Sequence, residues 1–426
     1  MKIAVIGGGS TYTPELIDGF IKYKNELPLA ELALVDIDRS RLNIIAAFAR
    51  RMLKEAGLSI KILATTNRLE GLSGADFVIT QIRVGGNQAR HRDTLIALKH
   101  GIIGQETTGA AGFAKGMRTI PVMLEICKDI SQVAPNAWLI NFTNPSGMIT
   151  EAIYHYGYKR VIGLCNWPEC LKQDLAAAFE VDTEQIFLDY FGLNHLSWVR
   201  KVYLGSRDVT AEALSHWRVM NLPKNIPSVK EGMELLVASG YIPNPYLRYY
   251  YLTENILKQQ QQKIKTRAQE VMEIEKKLIR LYQDVNLKEK PPELEERGGA
   301  FYSTAAVKLI CDLVNDARRV HIINIPMKRE LPGYKPYNVI ETPALVGGPG
   351  VFPLVVELPD ATIETLIRQI KTYEELTIEA ALQGDYDIAL QALTVNPLVR
   401  EITIAKKVLD HFLEVGSFKL KKSSGK

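Results

Sequence analysis

Short apolar runs, each closed by glycine or a polar turn, alternate with amphipathic stretches through the first half of the chain. KIAVIGG (2–8) and ELALVDID (31–38) read as buried strands of a parallel sheet, and Ile60–Ala64, Asp76–Ile82, Trp138–Phe142 and Arg160–Leu164 read as further strands. Residues 14–25 read as the first intervening helix, with Pro14 in the opening turn where its missing N–H is not needed. Ser40–Ala56, Thr119–Val133 and the stretch after Pro145 read as further helices. Strand and helix alternating at this spacing predict a doubly wound α/β sheet.

Past residue 185 the pattern changes. IFLDYFGLNHLSWVRKVYL (186–204) is long and strand-rich, and Thr253–Tyr282 reads as one charged helix without proline or glycine. LKEKPPELEERGG (287–299) reads as a loop, VHIINIP (320–326) and FPLVVEL (352–358) as strands, and Ile363–Leu382 and Pro397–Val415 as two helices. The segment 328–350 supports no more than strand-loop-strand. At 426 residues the chain exceeds what one core usually serves. The expectation is an α/β domain over 1–190 and a C-terminal α+β domain over 191–426.

The turn after the first strand is GGGSTYTP (7–14). Gly7 and Gly9 fill the first two places of a G-x-G-x-x-G pattern and Tyr12 stands at the third. The first two glycines let the chain turn tightly and bring backbone N–H groups, with Ser10 and Thr11, up to a pyrophosphate at the helix N-terminus. The third governs helix–strand packing, so its loss adjusts the contact without abolishing binding. Asp36 or Asp38 closes the second strand where a ribose-binding acid belongs. No arginine precedes Arg39 there, which favours NAD over NADP. The first domain therefore reads as a Rossmann-type unit.

Composition narrows the partners. The net charge of +4 is small for this length, and no arginine-rich stripe interleaved with aromatics argues for nucleic acid. No apolar run is long enough to predict a membrane span. Met1 leads straight into a strand, unlike a signal peptide, so Cys127, Cys165, Cys170 and Cys311 are expected as reduced thiols in the cytoplasm.

Four segments carry dense polar chemistry at expected strand ends: GQETTGAAG (104–112), NFTNPSG (141–147), GLCNWP (163–168) and GLNHLSW (192–198). Open α/β sheets place their ligands at such ends. Cys165 and His195 together suit a divalent transition ion, although each alone more often marks a core position. Asn144, ahead of Pro145, is held extended and reads as a ligand contact or a turn former. Glu106 among small residues reads as a carboxylate approaching a ligand or as a solvated loop acid. The cluster NPYLRYYY (244–251) reads first as packing.

Taken in order, GGGSTYTPEL, GQETTG, NFTNPSG, GLCNWP, GLNHLSW and NPYLRYY resemble glycoside hydrolase family 4, in its branch acting on 6-phospho-β-glucosides. The resemblance implies NAD, a divalent metal (usually Mn²⁺), and a small phosphorylated disaccharide such as cellobiose 6-phosphate as substrate. Cys165 and His195 would ligate the metal; Arg90, Asn144 and Arg267 would contact the substrate. Tyr246 would be the catalytic base and Glu106 the carboxylate that raises its basicity. Asn166 stands where α-specific members carry an acid, which points to the β-anomer. The implied reaction oxidises C3, removes the C2 proton, eliminates the aglycone, adds water and returns the hydride. A dimer or tetramer is implied as well. A 2-hydroxyacid dehydrogenase would share the first domain, but it has no use for the Cys165/His195 pair; another sugar preference within the family is a further alternative.

Overall fold

Six parallel strands form the predicted sheet: β1 (Lys2–Ile6), β2 (Glu31–Val35), β3 (Lys61–Thr65), β4 (Phe77–Thr80), β5 (Trp138–Asn141) and β6 (Val161–Gly163). Their spatial order is β3-β2-β1-β4-β5-β6, the doubly wound arrangement of dinucleotide-binding domains. The computed structural model describes all residues except 219, 221–225, 227–236, 299–300, 328–333, 336, 355–356, 358–359 and 421–426. Strand alternation splits the core in two. Ile3 and Val5 join one apolar cluster, and Ala4 and Ile6 join the other on the opposite face.

Seven helices punctuate this half: α1 (Thr13–Lys22), α2 (Arg39–Glu55), α3 (Arg68–Leu72), α4 (Gly86–Lys99), α5 (Gly109–Val133), α6 (Ser146–Tyr156) and α7 (Trp167–Phe179). Pro14 lies in the first turn of α1, and Asp38 caps α2 by accepting from the Arg41 N–H at 3.0 Å. α5 begins at Gly109, well before the predicted Thr119, and carries Pro121 in its interior. The segment 104–112 therefore links α4 to α5 and does not close a strand.

The second half starts with an antiparallel hairpin, β7 (Ile186–Leu193) and β8 (Leu196–Leu204), joined by β9 (Arg207–Asp208) and β10 (Ile242–Pro243). GLNHLSW is thus the tip of a hairpin. A short helix, α8 (Thr210–Trp217), follows β9, and α9 (Arg248–Tyr251) follows the Pro245–Leu247 turn. The helix predicted over Thr253–Tyr282 is two: α10 (Thr253–Gln262) and α11 (Arg267–Gln283). Thr266 and Gln269 break it with a reciprocal cap, Gln269 N donating to Thr266 Oγ1 at 3.3 Å and Thr266 N to Gln269 Oε1 at 2.9 Å.

α12 (Tyr302–Val314) then leads to β11 (Arg319–Pro326), β12 (Val339–Gly347) and β13 (Gly350–Pro353). These three strands run on from β6, antiparallel, and extend the first sheet to nine strands. The sheet is shared between the halves, and residue 190 lies inside β7. Only Phe352 and Pro353 of the predicted FPLVVEL strand fall in β13; 355, 356 and 358 lie outside the described residues, as do 328–333 and 336 of the unassigned segment. The chain ends in three helices where two were expected: α13 (Ala361–Gln383), α14 (Tyr386–Val395) and α15 (Ile402–Glu414). Gly384, at φ +68°, stops α13, and Asp385 caps α14 through the Ile388 N–H at 2.9 Å.

Candidate functional site at the ends of the parallel strands

Gly7, at φ +91°, turns the chain at the end of β1, and both Gly7 and Gly8 N–H groups donate to Val35 O at 2.9 Å. Gly8, the variable place of the motif, is the tightest point. A Cβ there would stand 2.8 Å from Leu34 Cα, which is backbone and has little room to yield. Gly8→Ala is expected to destabilise the fold by about 1–3 kcal/mol, visible as a lower melting temperature; an unchanged melting temperature would contradict the close approach.

Asp36 serves the same turn, accepting from Gly9 N at 2.8 Å and Asp38 N at 3.1 Å, while Asp38 is spent on capping α2. Of the two acids, Asp36 is the one beside the glycines. Arg39 turns to Thr66 Oγ1 at 2.9 Å. Thr11 is buried and held from behind: Tyr282 of α11 donates to its carbonyl at 2.9 Å. Tyr12 lies under the Arg297 guanidinium, 5.2 Å from its ring centre, so the third motif place is filled by an aromatic contact.

The strand ends are laced together. Gln81, after β4, donates to Gly7 O at 3.2 Å, and Ile82 N donates to Thr143 Oγ1 at 3.2 Å, next to Asn144. Asn144 is half-buried before a cis Pro145. Arg83 continues from Ile82 and pairs with Glu106. Glu106 also receives Arg90 at 3.0 Å and Lys115 at 2.9 Å. Burial pushes the Glu106 carboxyl up, but Arg83, Arg90 and Lys115 outweigh it and hold the group well below the usual carboxylate range. Burial, helped by the Arg83 charge, takes Lys115 down to about 7. Burial likewise lowers Arg90, whose surroundings include Arg267 and Tyr246.

His195 occupies the tip of the β7–β8 hairpin at φ +65°, a left-handed conformation that a non-glycine residue adopts at a cost of about 1–2 kcal/mol. Its ring lies flat against Tyr246, with centroids 3.7 Å apart and planes at 5°. Nδ1 shares a hydrogen bond of 2.9 Å with Thr107 Oγ1. Burial lowers the imidazole to about 3, so it is neutral with Nε2 left for a ligand. Tyr246 is set by Asn244, whose Oδ1 accepts the Tyr246 N–H at 3.1 Å.

Cys165, buried just after β6, has its thiol raised by burial and by Glu341, with an opposing hydrogen bond from Asn194. Asn194 directly precedes His195 in the hairpin, so the Cys165 thiol is hydrogen-bonded to the residue next to His195. No group of three His, Cys, Asp or Glu side chains gathers as a metal cage among the described residues. A neutral imidazole and a thiol are nevertheless donors that fit a transition ion whose remaining ligands come from substrate. Asn166 opens α7 and donates to Cys170 Sγ at 3.6 Å. Arg267 commits Nη1 to Glu270 at 3.0 Å and Nη2 to Glu296 O at 2.9 Å.

Thus Glu106, Arg90, His195 and Tyr246 come together as a cluster, with Cys165 tied to the hairpin through Asn194 and the glycine turn along the strand ends. Sequence reasoning did not single out Arg83, Lys115 and Glu341. Each is a charged residue inside an otherwise apolar or small-residue run (QIRVGG, GFAKGM, VIETPAL), which is the pattern that marks it.

A Rossmann sheet whose ligand edge carries a Cys, a neutral His and a stacked Tyr departs from a simple dehydrogenase, and the family models agree. Residues 2–181 match the model of family 4 glycosyl hydrolases and 190–399 that of their C-terminal domain, and the chain belongs to this family. It is 44% identical over 423 residues to a probable 6-phospho-beta-glucosidase of Bacillus subtilis (strain 168), covering 97% of this chain and 96% of the relative. It is 40% identical over 431 residues to the 6-phospho-beta-glucosidase of Escherichia coli (strain K12), covering 96% and 95%. Among solved structures, the 6-phospho-beta glucosidase of Thermotoga maritima with manganese, NAD+ and glucose-6-phosphate superposes with a TM-score of 0.90 at 36% identity, covering 99% of this chain and all of that one. No helix among the described residues is long and apolar enough to cross a membrane.

Proposed function

We propose that this enzyme hydrolyses 6-phospho-β-glucosides, using NAD and Mn²⁺ within each turnover. The observation that carries the reading is the stack of Tyr246 on a neutral His195, beside Arg90 and Glu106, in a chain alike from end to end to relatives of that name. When bound, NAD supplies the hydride acceptor and donor for C3, and Mn²⁺ supplies the Lewis acid for the neighbouring sugar oxygens. Cys165 and His195 would hold the metal, and Gly7, Gly9, Ser10, Thr11 and Asp36 would hold the cofactor.

Tyr246 removes the C2 proton. A phenol needs a positive field to act as phenolate near neutral pH, and the buried Arg90 guanidinium lies in its surroundings. Glu106 tempers that field, since it neutralises part of the charge of Arg83, Arg90 and Lys115 while raising the basicity of the phenol. Arg90 and Asn144 bind the phosphorylated sugar, and Arg267 adds positive charge from the start of α11. Asn166, in place of an acid beside Cys165, supports the β-anomer. Residues 1–190 carry the cofactor, and 191–426 add the metal- and substrate-side elements that bear His195, Tyr246 and Arg267, a division supported by the family models changing between 181 and 190. The enzyme works as a cytoplasmic homo-oligomer.

Hydrolysis of p-nitrophenyl β-glucoside 6-phosphate, with Mn²⁺, NAD⁺ and reductant omitted in turn, tests this. Activity is expected to require both NAD⁺ and the metal and to fall away with the unphosphorylated or α-linked substrate. Cleavage without NAD⁺, or equal cleavage of either alternative substrate, would reject the reading.

A further inference from the structure

Glu341 of β12 is fully buried, and the side chains that converge on its carboxylate are four neutral ones, with no Lys, Arg or His bonded to it among the described residues. Asn194 Nδ2 and Asn324 Nδ2 each donate to Oε1 at 3.0 Å; Tyr190 OH donates to Oε2 at 2.6 Å, with Ser197 Oγ at 3.4 Å. Every one of these partners leads to the candidate site. Asn194 adjoins His195 and hydrogen-bonds Cys165. Asn324 pairs across the sheet with both Glu341 and Gly163, two residues before Cys165. Ser197 accepts from Asn244 Nδ2 at 2.9 Å, and Asn244 fixes the backbone of Tyr246. One carboxylate therefore ties together the three elements that carry Cys165, His195 and Tyr246.

A buried carboxylate costs several kcal/mol unless a positive charge or a full set of donors compensates it. Here the donors are neutral, and burial outweighs them and raises the Glu341 carboxyl above its ordinary value, so an ionised Glu341 calls for a nearby positive charge. The surrounding protein offers it polarity without charge, through Asn194, which hydrogen-bonds Cys165 and adjoins His195. We propose that Glu341 is a positioning residue for a divalent cation held by Cys165 and His195: its charge balances the cation, and its hydrogen bonds fix the ligand-bearing hairpin and strand end. This rests on the metal-dependent reading above and deepens it. Metal ligands are commonly oriented by such outer partners, whose loss weakens metal affinity by about 10–100-fold.

The test measures Mn²⁺ binding to the purified full chain by electron paramagnetic resonance, alongside NAD⁺ binding by fluorescence and the melting temperature without metal. Glu341→Gln keeps the shape and removes the charge, and is expected to weaken Mn²⁺ at least about tenfold with NAD⁺ affinity unchanged. Asn194→Ala cuts the bridge between Glu341 and Cys165 and serves if the first variant does not fold; about a tenfold loss is again expected. In the Co²⁺-loaded protein, the thiolate-to-metal absorption band should require more Co²⁺ to develop in either variant. Wild-type Mn²⁺ affinity in both variants would overturn the proposal. If wild type and Cys165→Ser bind Mn²⁺ alike, the metal assignment itself has failed, and the Glu341 role falls with it.

Discussion

Replacing Tyr246 by phenylalanine is expected to lower turnover by about 10³-fold, in the middle of the range for loss of a positioned general base. The ring that stacks on His195 remains, and so does the backbone bond to Asn244, so the geometry of the hairpin and of NAD binding should persist. Only the phenol oxygen is lost. The measurement is steady-state hydrolysis of the phosphorylated β-glucoside next to NAD⁺ affinity of the variant. If turnover survives within tenfold, the proton at C2 goes to another group and Tyr246 is a packing residue. The C2 exchange of deuterium from solvent gives an independent reading, since it should vanish with the hydroxyl.

Glu106→Gln is expected to carry the largest stability loss near the site. Glu106 is the one acid among Arg83, Arg90 and Lys115, and removing its charge leaves two guanidiniums and a Lys115 already lowered to about 7 without their anion in a largely buried cluster. Breaking one side of a buried ion pair costs about 3–5 kcal/mol, and the partial exposure of Arg83 places the value toward the lower end. The pH dependence has a fixed sign. The carboxyl sits below its usual value in the folded protein, so its contribution is complete above about pH 5 and is lost as the pH falls below the ordinary 4.5 toward the folded value. Unfolding curves of wild type and variant should therefore converge in acid and stay apart above it. A gap independent of pH would show that Glu106 acts through its shape and not its charge.

Legibility in the sequence followed the physics of each element. β1, β2 and β4 to β6 announced themselves because buried strands are unbroken apolar runs, and their parallel direction follows from the alternation with helices, while their order β3-β2-β1-β4-β5-β6 came from the structure. α4 did not, because Arg90, His91, Asp93 and Thr94 interrupt any apolar stripe on a helix that faces the polar cluster. The break between α10 and α11 rested on one threonine cap, a local signal hidden in a run of glutamines and lysines. Cys165, His195, Tyr246 and Glu106 were found as candidates one at a time. Their meeting depends on a hairpin turn and on the join between β6 and β11, distances along the chain that no local pattern encodes. Glu341 lay in the segment that supported no assignment, although an acid within a strand is itself the anomaly that marks it.

The continuous sheet across the two family regions has a consequence for dissection. β6 is bonded on its far side to β11, which arrives more than a hundred residues later in the chain. A fragment ending before β7 would present β6 as a bare edge, the kind of surface through which separate chains pair and aggregate. It would also lack the strand that carries Glu341. During synthesis the nascent first half must wait for β11 to emerge before that edge is covered, so the cofactor fold of this enzyme matures only with its C-terminal partner.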